Sequence, residues 1–324
     1  MDKGSLCFDK LSNRSAKGQL KCHRCARCNG YGCPDMLPGL GGVMGGANFQ
    51  ANCADWKALA GTVEASALDA VEVSASKLRC GPVTGAVENI GYANEGDFYY
   101  PYLKNAYDAG FGLCIGDGCP DEKLKFGIEA VERIEGESGV GGEAGPAGNV
   151  PSDAPLDAAF FLKPYPQARL FERIEWIGPH ARYIGIDIDS YNILTMRNLV
   201  NLERKTPTQL EEFRRVSKVP FVIKGVFTDE DIELVKEVHP DVVYISNHGG
   251  RVETRKGSTA DFLAAEGPKL KKYCDQLWID GGIRTRRDIQ TALYYGADQV
   301  IMARSPIRAT FDEHYAEFLK ELGL

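Results

Sequence analysis

The chain has 324 residues, 44% of them hydrophobic, and a formal net charge of -7. That balance excludes nucleic acid as a main partner, while the length suits one large barrel or two ordinary domains. No apolar run approaches a membrane span, and the polar residues 1–21 lack the apolar segment of a secretory signal, so a cytoplasmic protein is expected.

The first distinctive feature is a group of four of the ten cysteines, Cys22, Cys25, Cys28 and Cys33, spaced C-x2-C-x2-C-x4-C. This is close to a bacterial ferredoxin run, with one extra residue before the final Cys-Pro. Four thiolates with Lys21, Arg24 and Arg27 nearby suit an iron–sulfur cluster, a structural zinc or plain thiols, and the spacing does not choose among them. The remaining six cysteines are scattered and read as small core residues. A glycine-rich run follows at 38–46. No strand precedes it, so it is no dinucleotide fingerprint, and close packing of an extension against a barrel mouth is the simpler reading.

From about residue 77 onward, strand-like and helix-like stretches alternate. Strands are predicted at 78–83, 112–115, 158–162 and 183–188, then at 220–224, 241–246, 276–280 and 299–303. Amphipathic helices are predicted between them, for instance over 207–216, 228–238 and 287–295. Eight strands in this rhythm imply an α/β fold, a (β/α)8 TIM barrel over 77–324, behind a Cys/Gly-rich N-terminal extension over 1–76. An open doubly wound sheet is the alternative. Residues 136–155, rich in Gly, Ser, Pro and Glu, break the rhythm and read as a mobile insertion on the face away from the site.

The ends of the later strands are chemically loaded. Asp187 and Asp189 close the fourth strand and, two apart, share one face of it. Lys224 ends the apolar fifth strand, where its ammonium either reaches solvent or fixes a positive charge in a site. Ser246-Asn247-His248-Gly249-Gly250-Arg251 ends the sixth, placing a candidate base three residues before a candidate anion-binding guanidinium. Asp280-Gly281-Gly282-Ile283-Arg284 and Met302-Ala303-Arg304 end the seventh and eighth, where such barrels hold phosphate.

Taken together, Lys224-Gly225-Val226, the 246–251 stretch, the 280–284 stretch, and Gly296-Ala297-Asp298-Gln299-Val300 with Arg304 resemble the FMN-dependent α-hydroxy acid dehydrogenases and oxidases. These are the relatives of glycolate oxidase and lactate oxidase. The resemblance extends upstream through 81–85 and 116–118, and the cysteine-bearing N-terminus is similar to that of a bacterial branch of the family. It implies oxidation of a small 2-hydroxy carboxylic acid to the 2-oxo acid, with hydride passing to flavin N5. His248 would be the base, Asp189 its partner and Arg251 the holder of the substrate carboxylate. Lys224 would sit near flavin N1 and O2, with Asp187 and Ser246 also at the cofactor. Pro82, Val83 and Thr84 would offer backbone near N5, and Lys163 would replace a ring-contacting glutamine. Asp280, Gly281, Gly282, Arg284, Ala303 and Arg304 would hold the ribityl phosphate.

The departures bear on substrate. No arginine follows Asp189 until Arg197, so a second carboxylate clamp is missing from its usual place. The family's substrate-binding tyrosine near the N-terminus has no clear match, and Tyr31 is a candidate for it. Ala303 stands where the family has glycine. FMN is the expected cofactor; the electron acceptor is oxygen, a quinone or an iron–sulfur partner, and a homo-oligomer is a family expectation. The alternative weighed is other FMN-barrel chemistry, such as that of type 2 isopentenyl diphosphate isomerase, which needs no arginine clamp for a carboxylate.

Overall fold

A computed structural model describes residues 47–138, 156–192, 201–252 and 254–324. The four clustered cysteines, Tyr31, Arg197 and most of the expected insertion lie outside them.

All eight expected strands form: β1 (Leu78–Cys80), β2 (Leu113–Gly116), β3 (Ala158–Leu162) and β4 (Tyr183–Asp187). They continue as β5 (Phe221–Val226), β6 (Val242–Ile245), β7 (Gln276–Ile279) and β8 (Gln299–Met302). Every pairing is parallel, in the order β1-β8-β7-β6-β5-β4-β3-β2. The ring is completed at Gly112, whose N–H donates to Leu78 O and whose O accepts from Cys80 N, both at 3.0 Å. An open doubly wound sheet is thereby excluded.

Side chains alternate along each strand between the barrel interior and the surrounding helices. Cys114, Ala159, Phe161, Val222, Val242, Tyr244, Trp278 and Ile301 fill the interior. The intervening residues, such as Phe160, Leu162, Ile184, Ile186 and Ile223, join the larger cluster between sheet and helices. Counting on in twos from the interior set, and on β4 from Tyr183, which packs against it, reaches Lys163, Asp187, Asp189, Lys224, Ser246 and Asp280. The same period that packs the core therefore aims these polar side chains into the C-terminal mouth.

Between the strands run α3 (Tyr99–Asp108), α4 (Glu122–Ser138), α5 (Gln167–Ile177), α6 (Pro207–Ser217) and α7 (Asp229–Val238). They are followed by α8 (Thr259–Leu270), α9 (Arg286–Tyr294), α10 (Arg304–Phe311) and α11 (Tyr315–Leu322). Thr206, Thr228 and Thr285 begin α6, α7 and α9 with capping boxes. Each such cap contributes about 1 kcal/mol and fixes where a strand-end loop turns into helix. The helix before the expected insertion runs on through Ser138, so residues 136–138 continue α4. Their Glu137 binds Tyr100 and Arg133, which holds the turn in helical geometry despite Gly136.

Ahead of the barrel come α1 (Ala47–Ala60) and α2 (Ala65–Asp69). The first lies across the mouth and packs on the loop after β6 and on α8 and α9. An ideal Cβ on Gly282 would stand 1.9 Å from Asn52 O, and one on Gly250 would stand 2.5 Å from Phe49 N. Glycine is required at both positions because the backbone of α1 occupies the space. No helix of the described residues is long and apolar enough to cross a membrane.

Candidate active site

His248 stands at the C-terminal mouth with its side chain 12% exposed, bracketed by two carboxylates from β4. Its Nδ1 lies 2.8 Å from Asp189 Oδ2, and its Nε2 lies 3.2 Å from Asp187 Oδ2. With both ring nitrogens facing carboxylate oxygens, the doubly protonated ring satisfies Asp187 and Asp189 together; once Nε2 gives up its proton, Nδ1–H on Asp189 leaves Nε2 as the lone pair of a base. Three successive residues, His248, Gly249 and Gly250, have positive φ of 55°, 63° and 90°, turning the ring back over the mouth. The turn is closed by Gly250 N donating to Asn247 Oδ1 at 2.9 Å, and His248 N donates to Ser246 Oγ at 3.3 Å.

The two carboxylates are in opposite electrostatic positions. Burial works against the charge of Asp187, but His248, Lys163 and Lys224 outweigh it and hold its carboxyl well below the ordinary range. Lys163 Nζ reaches Asp187 Oδ2 at 2.6 Å and Lys224 Nζ reaches Oδ1 at 2.7 Å. Asp189 lacks those lysine bonds. Burial, reinforced by the charge on Asp187, raises it above the usual carboxylate value despite His248. Lys224 is itself held above its ordinary value, because Asp187, Asp189 and Asp280 outweigh burial. A permanent positive charge is therefore fixed at the end of β5.

Lys163 is held by a further buried layer. Its backbone N–H donates to Asp117 Oδ2 at 3.2 Å, and that same oxygen accepts from Arg173 Nε at 2.9 Å. The side chains of Asp117 and Arg173 are both fully buried.

The other half of the mouth is cationic. Arg251 donates from Nη1 to His248 O at 3.2 Å, and Arg284 donates from Nη2 to Cys53 Sγ at 3.7 Å. Arg304 stacks its guanidinium over the Phe49 ring at 4.6 Å. Burial lowers the Arg251 guanidinium to about 10. Arg304 is pushed down to about 9, first by burial and then by repulsion from Arg284 and Arg251. Asp280 turns Oδ2 toward the Tyr244 hydroxyl, which donates to it at 2.8 Å, while its buried Oδ1 has no hydrogen-bond partner among the described residues. The backbone N–H groups of Gly281 and Gly282 also have no partner among the described residues. Crowded guanidinium groups beside open amide donors form a cradle for an anion. A phosphate-bearing cofactor fits the donor set: Gly281, Gly282, Arg284 and Arg304 would hold the phosphate, and Asp280 Oδ1 would accept from a hydroxyl.

Residues 188–315 match the family model of the FMN-dependent dehydrogenases. This part of the barrel is therefore similar to those dehydrogenases in sequence. The stretch similar to human 2-hydroxyacid oxidase 2 is 32% identical over 95 residues, covering 29% of this chain and 27% of that protein. The chain is also 35% identical over 99 residues to the L-lactate dehydrogenase (cytochrome) of Saccharomyces cerevisiae, 29% of this chain and 17% of that one. The matched stretch thus spans about a quarter or less of these relatives' length. In fold, mandelate oxidase solved with benzoyl-formic acid superposes with a TM-score of 0.59 at 17% identity, covering 89% of each chain.

His248, Asp187, Asp189, Lys163, Lys224, Ser246 and Asp280, expected from the sequence, meet in one mouth, with Arg251, Arg284 and Arg304 beside them. Pro82, Val83 and Thr84 follow β1, and Ala303 follows β8 where it caps α10. Tyr31 and the four cysteines fall outside the described residues. Sequence reasoning passed over α1: Phe49 under Arg304, Cys53 beside Arg284, and Trp56 Nε1, which donates to Gly281 O at 2.7 Å. The available signal was the spacing of Phe49, Cys53 and Trp56 along one helical face.

Proposed function

We propose that the chain oxidises a small 2-hydroxy carboxylic acid to the 2-oxo acid with FMN as cofactor. The observation that carries this reading is His248, clamped by Asp189 through Nδ1, beside Arg251 and next to an arginine-lined anion cradle. When bound, FMN supplies the two-electron acceptor. Arg251 holds the substrate carboxylate, so that the hydroxyl lies toward His248. His248 Nε2 takes the hydroxyl proton, and Asp189 keeps the ring oriented and stabilises the imidazolium that forms. The Lys224 ammonium, held by Asp187, would place positive charge beside the bound cofactor.

The isomerase alternative loses ground because the similar proteins named above are an oxidase and a dehydrogenase of hydroxy acids. The reading includes a cytoplasmic homo-oligomer and leaves oxygen, a quinone or an iron–sulfur partner as acceptor. Cys22, Cys25, Cys28 and Cys33 belong to it as a candidate cluster or zinc site.

The test is an anaerobic visible spectrum during titration with a panel of 2-hydroxy acids. A flavin band that bleaches with one acid supports the reaction class, and added broad absorbance would reveal a cluster. His248→Asn should keep FMN bound but slow its reduction at least ~100-fold, the scale of a lost general base. Undiminished reduction in that variant would remove His248 from the mechanism.

A further inference from the structure

We propose that Asn52, on α1, is a positioning residue for the catalytic loop, acting through a reciprocal amide pair with Asn247. The proposal rests on the reading of His248 as the base. Asn52 Nδ2 donates to Asn247 Oδ1 at 2.8 Å, and Asn247 Nδ2 donates back to Asn52 Oδ1 at 3.1 Å. Both residues are buried, at 1% and 0% exposure. Each carboxamide oxygen takes a second bond from backbone: Asn52 Oδ1 from Thr259 N at 3.0 Å, and Asn247 Oδ1 from Gly250 N at 2.9 Å. Both oxygens therefore use both lone pairs.

The pair acts on an awkward piece of chain. His248 is a non-glycine residue at φ 55°, followed by two more residues of positive φ. A left-handed non-glycine residue costs roughly 1–2 kcal/mol and persists only where its surroundings over-determine it. Gly250 N donates to both Asn247 O at 3.0 Å and Asn247 Oδ1 at 2.9 Å, and the side-chain half of this closure holds only while the Asn247 amide keeps one rotation. Asn52 fixes that rotation, because its own donor and acceptor match Asn247 in a single orientation. With Asn52 removed, the Asn247 amide loses one donor and one acceptor in a buried setting. The turn then relaxes, and the ring drifts from Asp189 and from the substrate hydroxyl.

The same helix has a second anchor that serves as a control. Asn48 Nδ2 donates to Val252 O at 2.6 Å and Arg255 O at 2.7 Å, and Asn48 Oδ1 accepts from Gly257 N at 2.9 Å. Those bonds dock α1 without touching Asn247.

The experiment compares Asn52→Ala, Asn52→Asp and Asn48→Ala as full chains. Asn52→Asp keeps the size, replaces the donor facing Asn247 Oδ1 by a charged acceptor oxygen, and stands in if the alanine variant fails to fold. Two readouts are taken: kcat against KM for flavin reduction, and the ring nitrogen chemical shifts of His248. With five histidines in the chain, that ring is assigned by comparison with His248→Asn. Both Asn52 variants should shift the ring resonances and lower kcat by roughly 10–100-fold, the scale of a misplacement near 1 Å, with KM changed far less. Asn48→Ala should leave the ring resonances in place even if the melting temperature falls. Unmoved resonances in both Asn52 variants, or an equal shift in Asn48→Ala, would overturn the proposal. The ring shifts are read without turnover, so they stand even if the 2-hydroxy acid reading fails.

Discussion

Arginines withdrawn from solvent occur at both ends of this barrel, fully buried at one and half-buried at the other, and they are treated in opposite ways. At the N-terminal end Arg79 lies inside the ring, bonded to both Asp157 carboxylate oxygens at 2.9 and 3.0 Å and stacked 4.3 Å over Trp278. Burial disfavours its charge, yet Cys114 and Asp157 outweigh that and hold it above the ordinary value. Arg173, behind β3, is likewise raised, with Asp117 and Asp121 overcoming burial. At the mouth Arg304 is lowered to about 9, and the groups pushing it down after burial are two more arginines. Crowding desolvated cations against one another does not stabilise a fold, and at Arg304 the carboxylate of Asp280 does not outweigh burial and the neighbouring arginines. An arginine buried against a carboxylate is architecture; one half-buried among other arginines suits an arriving anion.

The largest effect expected from that contrast belongs to the architectural side. Arg173→Leu would strand Asp117, whose carboxyl burial already raises, without its guanidinium. Breaking a buried pair from one side costs about 3–5 kcal/mol, readable as a fall in the urea midpoint, whereas the double change with Asp117→Asn should recover much of it. Flavin affinity of the folded fraction should stay within a few fold. A stability loss under about 1 kcal/mol would mean that Arg173 is not the counter-ion its geometry indicates.

A smaller effect, and of the opposite kind, is expected at the mouth. Arg304→Met should weaken FMN binding roughly 10–100-fold, the value of a lost charge-assisted hydrogen bond. The melting temperature of the cofactor-free protein should stay level or rise. The sign follows from the shift: a guanidinium whose folded pKa is lowered is destabilising while it is charged, so removing it relieves the fold at every pH below about 9. If the cofactor-free protein melted earlier, as Arg173→Leu should, the two ends of the barrel would not differ as argued.

How much of the fold and of the mouth is legible in the sequence depends on period. Strands β3 to β8 carry their interior residues in steps of two, so the amino-acid pattern alone places Lys163, Asp187, Asp189, Lys224 and Asp280 at the mouth. The helices between them announce themselves by Thr caps at Thr206, Thr228 and Thr285. The buried face of α1 carries Asn48 and Asn52 among Phe49, Cys53 and Trp56, so its apolar periodicity is diluted by the amides that anchor it. Their partners, Val252, Asn247 and Thr259, lie some 200 residues away, beyond the reach of any local pattern. Gly282 misleads in a related way. Its glycine suggests a phosphate approaching the backbone, whereas the space where a Cβ would go is filled by Asn52 O. Only tertiary contact separates the two explanations.

The mildest way to sharpen the contrast uses no mutation. Inorganic phosphate added to cofactor-free protein should occupy the arginine cradle and stabilise the fold by RT ln(1 + [L]/Kd), about 1.4 kcal/mol at ten times Kd. For a chain of this size that is roughly a few degrees in melting temperature. An ion binding only at Arg79 or Arg173 finds those cations already neutralised, so the gain should vanish in Arg304→Met and persist in Arg79→Met. The pH profile carries its own sign. A guanidinium beside an anion holds its proton more firmly than in the empty cluster, so the filled site binds more protons than the empty one. Binding must then weaken as pH rises through about 9, the value to which the empty cluster lowers Arg304. A phosphate effect that grew above that pH, or that survived Arg304→Met, would place the anion somewhere other than the mouth.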